Sequence, residues 1–171
     1  MEEKLKKVRL VIMDVDGVLT DGRIVLGGHG QEFKFFNVRD GHGIVLLHRV
    51  GIKTAIITGR KSEVVERRAK ELGIPFIFQD SKDKLVTYNK LKGEAGVEDC
   101  EIAYMGDDLV DIPIMIRTGV AIAVADAHTQ VKEAAHLVTR APGGKGAVRE
   151  FIELLLQVQG KWDKATRQYW Q

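Results

Sequence analysis

Val8-Arg9-Leu10-Val11-Ile12-Met13-Asp14-Val15-Asp16-Gly17 is the stretch that decides the fold. A nearly continuous apolar run passes straight into two carboxylates and a glycine. A strand apolar on both faces belongs inside a parallel sheet covered by helices, because an antiparallel sheet with one wet face would alternate. Ligands of such a sheet bind outside the carboxyl ends of its strands, which is where Asp14 and Asp16 would stand. Alternate side chains of an extended segment share a face, so the two carboxylates can converge on one point. Asp-x-Asp is also frequent in surface loops, and the pair alone decides nothing.

Outward from this strand, Lys53–Ile57, Phe76–Phe78, Ile102–Met105 and Val120–Val124 repeat the same apolar, β-branched character. Segments of helical period lie between them, near 42–50, 62–72, 83–93, 109–117, 128–135 and 145–158. The alternation predicts an α/β domain, a single Rossmann-like parallel sheet flanked by helices. Ser62–Leu72 shows the signals most completely. Ser62 is a cap, Val64, Val65, Ala69 and Leu72 share a face, and Gly73 with Pro75 ends the helix. One segment breaks the pattern: Arg23–Leu26 and Glu32–Phe36 flank Gly27-Gly28-His29-Gly30 and read as a β-hairpin, about 23–36, inserted after strand 1. Its apolar face of period two is Ile24, Leu26, Phe33 and Phe35. A hairpin alone is marginal, so that face packs either on the chain's own core or in a subunit interface.

The 171 residues leave room for one domain, with 44% apolar and 29% charged residues. Lys and Arg number 26 against 24 Asp and Glu, a net charge of +2. That balance argues against a nucleic-acid or membrane partner. The single cysteine, Cys100, suits a reducing compartment. No apolar run reaches the roughly 18 residues of a membrane span, and Asp14 cuts short the apolar stretch after the charged Met1–Lys7, unlike a signal peptide. The expected setting is cytoplasmic. Residues 1–160 form the expected domain, and 161–171, with Trp162 and Trp170, a tail that is either frayed or docked on a neighbouring subunit.

Three further elements follow predicted strands. Thr58-Gly59-Arg60 can offer a hydroxyl, an N–H and a guanidinium to phosphate oxygens, or be a plain turn before a helix. Lys84 opens the next helix, where a solvated surface lysine would be the ordinary finding. Gly106-Asp107-Asp108-Leu109-Val110-Asp111 crowds three carboxylates into five positions, which repel unless a cation neutralises them. Hard oxygen ligands of this kind suit Mg²⁺, although Asp108 and Asp111 could equally cap and begin a helix. The joint order, each element after its own strand, argues for a common site. The chemistry that fits is phosphoryl transfer through an aspartyl phosphate. A carboxylate is already ionised at neutral pH and needs only opposing charge to approach a phosphate.

With these residues assembled, the sequence resembles the haloacid dehalogenase superfamily. Asp14-Val15-Asp16-Gly17, Thr58, Lys84 and Gly106-Asp107-Asp108 with Asp111 look like its four motifs. The resemblance implies Asp14 as nucleophile and Asp16 as general acid/base, with Thr58 and Lys84 holding phosphoryl oxygens. It further implies Asp14, Asp16 (through its carbonyl) and Asp107 as Mg²⁺ ligands, and Asp108 and Asp111 as supports behind them. The runs Asp14–Asp21, Asn37–Gly43, Ile57–Lys61, Gly106–Asp111, Val124–His128 and Gly143–Glu150 resemble more narrowly the 3-deoxy-D-manno-octulosonate 8-phosphate phosphatase family of lipopolysaccharide biosynthesis. That implies a capless homotetramer whose hairpins meet in a central barrel, with a neighbouring subunit helping to close each site. The implied sugar-acid contacts are Asn37, Val38, Arg39, Asp40, Gly41, Gly59, Arg60, Arg68 and Lys84. Val45 departs from the pattern, standing where relatives can carry a basic residue. The open alternatives are a phosphatase of a nine-carbon sugar acid phosphate, a non-catalytic tetramerisation module, and a phospho-acceptor switch; the last fits the order of motifs poorly.

Overall fold

Leu10, Val11, Ile12 and Met13 have no exposure on either face, because β1 (Leu10–Met13) runs between two parallel neighbours. The computed structural model describes residues 1–171. After β1 come the hairpin strands β2 (Val25–Leu26) and β3 (Glu32–Phe33), then β4 (Lys53–Ile57), β5 (Phe76–Phe78), β6 (Ile102–Gly106), β7 (Val120–Ala123) and β8 (Leu137–Val138). Apart from the hairpin they form one parallel sheet of order β5-β4-β1-β6-β7-β8. Leu10–Met13 pairs in register with Lys53–Ile56 on one side and Ile102–Met105 on the other. The chain builds outward from β1 through β4 to β5, then returns to lay β6 on the opposite flank. The carboxyl ends of β1 and β6 therefore face a topological switch point, where open α/β sheets bind ligands.

The helices are α1 (Glu2–Lys7), α2 (Val38–Arg49), α3 (Glu63–Glu71), α4 (Lys84–Ala95), α5 (Ile112–Met115), α6 (Thr129–Ala134), α7 (Ala147–Val158) and α8 (Trp162–Thr166). Helix α3 keeps its expected cap, with Ser62 Oγ accepting the Val65 N–H. Helix α2 starts four residues before the apolar period suggests, because Asn37 Oδ1 accepts the Arg39 N–H at 2.7 Å and caps it there. The segment expected as one helix over 109–117 divides into a tight turn, Leu109–Asp111, and α5, with Pro113 in the first turn of α5. Helix α7 buries Ala147, Val148, Phe151, Ile152, Leu155 and Leu156 and packs against α2. No helix is long and apolar enough to cross a membrane.

Only a helical turn, Val15–Leu19, and the hairpin stand between β1 and α2, so nothing of domain size is inserted there over the carboxyl rim of the sheet. Its strands pair Val25 with Phe33 and Leu26 with Glu32, and a bridge between Thr20 and Phe36 closes its base. Ile24, Leu26, Phe33 and Phe35 are exposed, Leu26 by 72%. The chain's own core does not cover that face. At the other end, Ala165 and Thr166 are buried and Trp162 is half-buried under the Arg149 guanidinium. Tyr169 Oη lies 2.6 Å from His42 Nε2 on α2, while Trp170 is 85% exposed.

Candidate active site

Asp14 is carried out of the sheet by β1, and its Oδ1 accepts the Val15 N–H at 2.7 Å. Its Oδ2 lies 2.9 Å from Lys84 Nζ. Lys84 is the first residue of α4, fixed there by Asp83, whose Oδ1 accepts the Leu85 and Val86 N–H groups. The buried ammonium also reaches Asp111 Oδ1 at 2.7 Å. Asp111 has no exposed surface, and both its oxygens are taken. Oδ1 accepts the Tyr104 hydroxyl at 2.6 Å, and Oδ2 accepts the N–H groups of Asp107 and Asp108 at 3.0 and 3.2 Å. Asp111 thus locks the end of β6 to the lysine and has no lone pair directed at a ligand.

Asp107 is different. Its Oδ1 is buried without any hydrogen-bond partner, although such atoms are ordinarily satisfied. Oxygens of Asp14, Asp107 and Asp111 lie within 4.8 Å of one another, and the one ammonium among them pairs with Asp14 and Asp111 only. Burial pushes the Asp107 carboxyl up to about 8, reinforced by the Asp14 and Asp111 charges. Burial likewise raises Asp14 to about 6, with Asp111 adding to the shift and Lys84 opposing it. Burial alone would depress Lys84, but its two carboxylate partners outweigh it and the net shift is upward. A surplus of buried hard oxygens, one of them orphaned, fits a divalent cation such as Mg²⁺.

The turn after Asp14 is built to admit this cluster. Gly17 has φ +91°, and a Cβ there would lie 2.0 Å from Asp107 Oδ2. The loop behind it is equally close, since a Cβ on Gly143 would meet the Gly17 carbonyl at 1.7 Å. Thr58, at the end of β4, is buried; its N–H donates to the Phe78 carbonyl and its carbonyl accepts the Ser81 N–H. Asp14, Asp16, Thr58, Gly59, Arg60, Lys84, Asp107 and Asp108 together line a cleft of about 470 Å³.

Other sugar-acid candidates lie elsewhere. Asn37, Val38, Asp40, Gly41 and Arg68 do not line this cleft, and neither does Arg39. Asn37 caps α2, and Asp40 is buried, accepting the N–H groups of Gly146 and Arg149 at the start of α7. Arg68 packs against Gly41 and the Phe36 ring and pairs with Glu71 at 3.0 Å. Asn37, Val38 and Arg39 line a separate open groove with Arg140, Lys145 and Arg149. Val45 sits on α2, also outside the cleft.

Besides Gly22, Ser81, Lys82 and Val110 in the cleft wall, two charged residues beside the site were not anticipated. Lys34 and Glu32, from the hairpin, reach it through ion pairs of Lys34 with Asp16 and Glu32 and of Arg60 with the same two carboxylates. Their signal was present in Glu32-Phe33-Lys34-Phe35, where a polar face alternates with the apolar one.

Residues 73–152 match the model of haloacid dehalogenase-like hydrolases. The 3-deoxy-D-manno-octulosonate 8-phosphate phosphatase of Yersinia pestis is 48% identical over 164 residues, covering 96% of this chain and 88% of that protein. A crystal structure of the corresponding Moraxella catarrhalis phosphatase, in complex with magnesium ion, phosphate ion and KDO, superposes with a TM-score of 0.95 at 42% identity, covering 98% of this chain and 97% of that one. The cobalt-bound Haemophilus influenzae phosphatase gives 0.90 at 44% identity, covering 92% of each chain. A carboxylate cluster at the switch point, a lysine held against it and this likeness over nearly the full length have one common explanation: the chain belongs to the 3-deoxy-D-manno-octulosonate 8-phosphate phosphatase family of haloacid dehalogenase-like hydrolases.

Proposed function

We propose that the cleft hydrolyses 3-deoxy-D-manno-octulosonate 8-phosphate to the free sugar acid and phosphate, a step of lipopolysaccharide biosynthesis. The observation that carries the reading is the meeting of Asp14, Asp107 and Lys84 at one switch point with a buried carboxylate oxygen left unpartnered. The Asp14 and Asp107 side chains, with the Asp16 carbonyl, would hold Mg²⁺. When bound, the ion supplies positive charge against the phosphate, which an anionic nucleophile must otherwise approach unaided.

The chain's own groups do the rest. An Asp14 oxygen attacks phosphorus as the bond to the sugar oxygen breaks, and Asp16 gives that oxygen its proton. Water then attacks the aspartyl phosphate, Asp16 takes its proton, and phosphate leaves with the Asp14 carboxylate restored. Lys84 and Thr58, with the Gly59 N–H, hold phosphoryl oxygens, and Lys84 keeps Asp14 aimed through their shared contact. Asp111 and Asp108 act from behind. Asp111 anchors Lys84 and the Asp107 backbone, and Asp108 accepts the Leu109 N–H and fixes the turn. Arg60, lining the cleft and half exposed, is suited to the substrate carboxylate.

We also infer a cytoplasmic homotetramer assembled through the exposed hairpin faces, with a neighbouring subunit closing each cleft. Asn37, Val38, Arg39, Gly41 and Arg68 are then the candidate contacts of the sugar-acid end, while the Asp40 carboxylate is spent on the start of α7. Residues 1–160 are the phosphatase domain, and Trp170 is the candidate contact of the 161–171 tail on a neighbour. The test is Mg²⁺-dependent phosphate release from octulosonate 8-phosphate beside a nine-carbon sugar acid phosphate. A clear preference for the first is expected, and equal rates would remove the substrate assignment.

A further inference from the structure

The hairpin presents two unlike faces. Phe33 and Phe35 point outward and are exposed, while Glu32 and Lys34 point inward to the sheet's rim. The Lys34 side chain is only 1% exposed, although it belongs to a ribbon with no core of its own. A lysine stem and ammonium are buried at this cost only when paired. Lys34 Nζ contacts Asp16 Oδ1 and lies 3.6 Å from Glu32 Oε1. Arg60 faces the remaining Asp16 oxygen more loosely, with Nε 3.7 Å from Oδ2, and its Nη2 donates to Glu32 Oε1 at 3.3 Å. Glu32 thus ties the two cations together, and one Asp16 oxygen is held far more closely than the other.

Lys34 does not line the cleft, whereas Asp16 and Arg60 do. A residue behind the acid, buried and held by two carboxylates, is badly placed to touch substrate. It is well placed to stop the Asp16 carboxylate from turning. We propose that Lys34 is a positioning residue for the phosphatase reaction: from the hairpin it anchors Asp16 Oδ1, so that Oδ2 faces the cleft and exchanges the proton with the leaving oxygen and then with water. This rests on the reading of Asp16 as the general acid/base. In the first step the P–O bond to the sugar breaks, the electron pair stays on the sugar oxygen, and that oxygen takes the proton from Asp16 Oδ2. A misdirected acid costs on the order of a hundredfold in rate where the leaving oxygen needs its proton. It costs little where the leaving group departs as a stable anion.

The experiment follows from that difference. Full-length protein with Mg²⁺ is assayed for kcat/KM, which reports the steps up to P–O cleavage, on ribose 5-phosphate and on p-nitrophenyl phosphate, whose nitrophenolate leaves without a proton. Lys34→Met keeps the apolar stem and removes the charge. The expected result is a loss on the sugar phosphate at least about tenfold greater than on the aryl phosphate, falling on kcat more than on KM. Lys34→Arg restores most of it, and Lys34→Gln replaces Lys34→Met should the latter not fold. Equal losses on both substrates would overturn the inference, since they mean a displaced hairpin. So would a loss confined to KM for octulosonate 8-phosphate, which means direct contact with the substrate carboxylate. Asp16→Asn separates the two levels of the argument. If it shows no leaving-group dependence, the acid/base reading fails; if it does and Lys34→Met does not, only the role of Lys34 fails.

Discussion

The carboxyl rim of the sheet and the hairpin beside it hold their functional groups by opposite means. At the rim, Asp14, Thr58 and Asp107 leave the ends of buried strands, and Asp111 spends four hydrogen bonds fixing the Asp107–Asp108 backbone, Lys84 and Tyr104. Close packing sets their positions, so the rim tolerates a net negative charge that would scatter mobile side chains. The hairpin has two-residue strands and an outer face of exposed Ile24, Leu26, Phe33 and Phe35. Its inner residues are held by charge pairs, and its outer ones lie exposed. On the proposed reading, the nucleophile is placed by the fold and the proton donor by an appendage.

The sharpest break in that comparison is Asp14→Asn. It removes the proposed nucleophile with almost no change of volume, and turnover is expected to fall by at least ~10⁴-fold in a phosphate-release assay. Stability should move the other way. One of three crowded buried carboxylates becomes neutral while Lys84 keeps Asp111, so metal-free protein should melt no lower than wild type. Loss of both activity and folding would mean that the rim is not rigid without its charge pairs.

Phe33→Glu probes the appendage. A charge on the outer face should abolish assembly, seen as a fall in light-scattering mass to that of a single chain, with the far-UV spectrum retained because no core residue is touched. An unchanged mass would remove the hairpin from the proposed interface. The same variant should lower turnover, since Phe33 lies between Glu32 and Lys34 in the hairpin arm proposed to steady Asp16.

The metal links rim and solution conditions. Asp107 is raised to about 8 and Asp14 to about 6 without a cation, so near neutral pH Asp107 carries a proton that Mg²⁺ must displace. Affinity measured by titration calorimetry should therefore rise roughly tenfold per pH unit between about 6 and 8, with proton release into the buffer. The sign for stability is the reverse. A carboxyl raised in the folded state binds more protons there than in the unfolded chain. Metal-free stability should then fall as pH climbs from near 4 through about 8. Asp107→Asn should flatten both dependences, and a flat wild-type profile would mean that the carboxylates are relaxed by solvent.

Much of this was legible in the sequence, for a physical reason. Asp14, Thr58, Lys84 and Asp107 each stand next to a buried strand or a helix start, so hydrophobic pattern and chemistry are read in the same few residues. The hairpin was legible from Gly27-Gly28-His29-Gly30, yet only its apolar face drew notice. Lys34 and Glu32 gain meaning from a partner at Asp16, which sequence spacing does not reveal. β8 was missed because Leu137–Val138 is too short to show a period. Helices α1 and α8 were missed because isolated helices of five or six residues are unstable and draw their order from packing.

Asp40 is the residue on which the two kinds of reading part most clearly. Its place within Asn37–Gly41 suggests a sugar contact, but its carboxylate accepts the Arg149 N–H at 2.7 Å and the Gly146 N–H at 3.2 Å, more than a hundred residues away in sequence. Those donors are among the unpaired groups at the start of α7, the helix that packs on α2. Asp40→Ala leaves two partly buried N–H groups without an acceptor and should cost about 1–2 kcal/mol in chemical denaturation. KM for octulosonate 8-phosphate should change less than about twofold, because the side chain is 1% exposed and already fully engaged. A tenfold rise in KM with no loss of stability would reverse the assignment. It would show that the carboxylate leaves α7 to bind substrate, and that the α2–α7 seam is as adaptable as the hairpin.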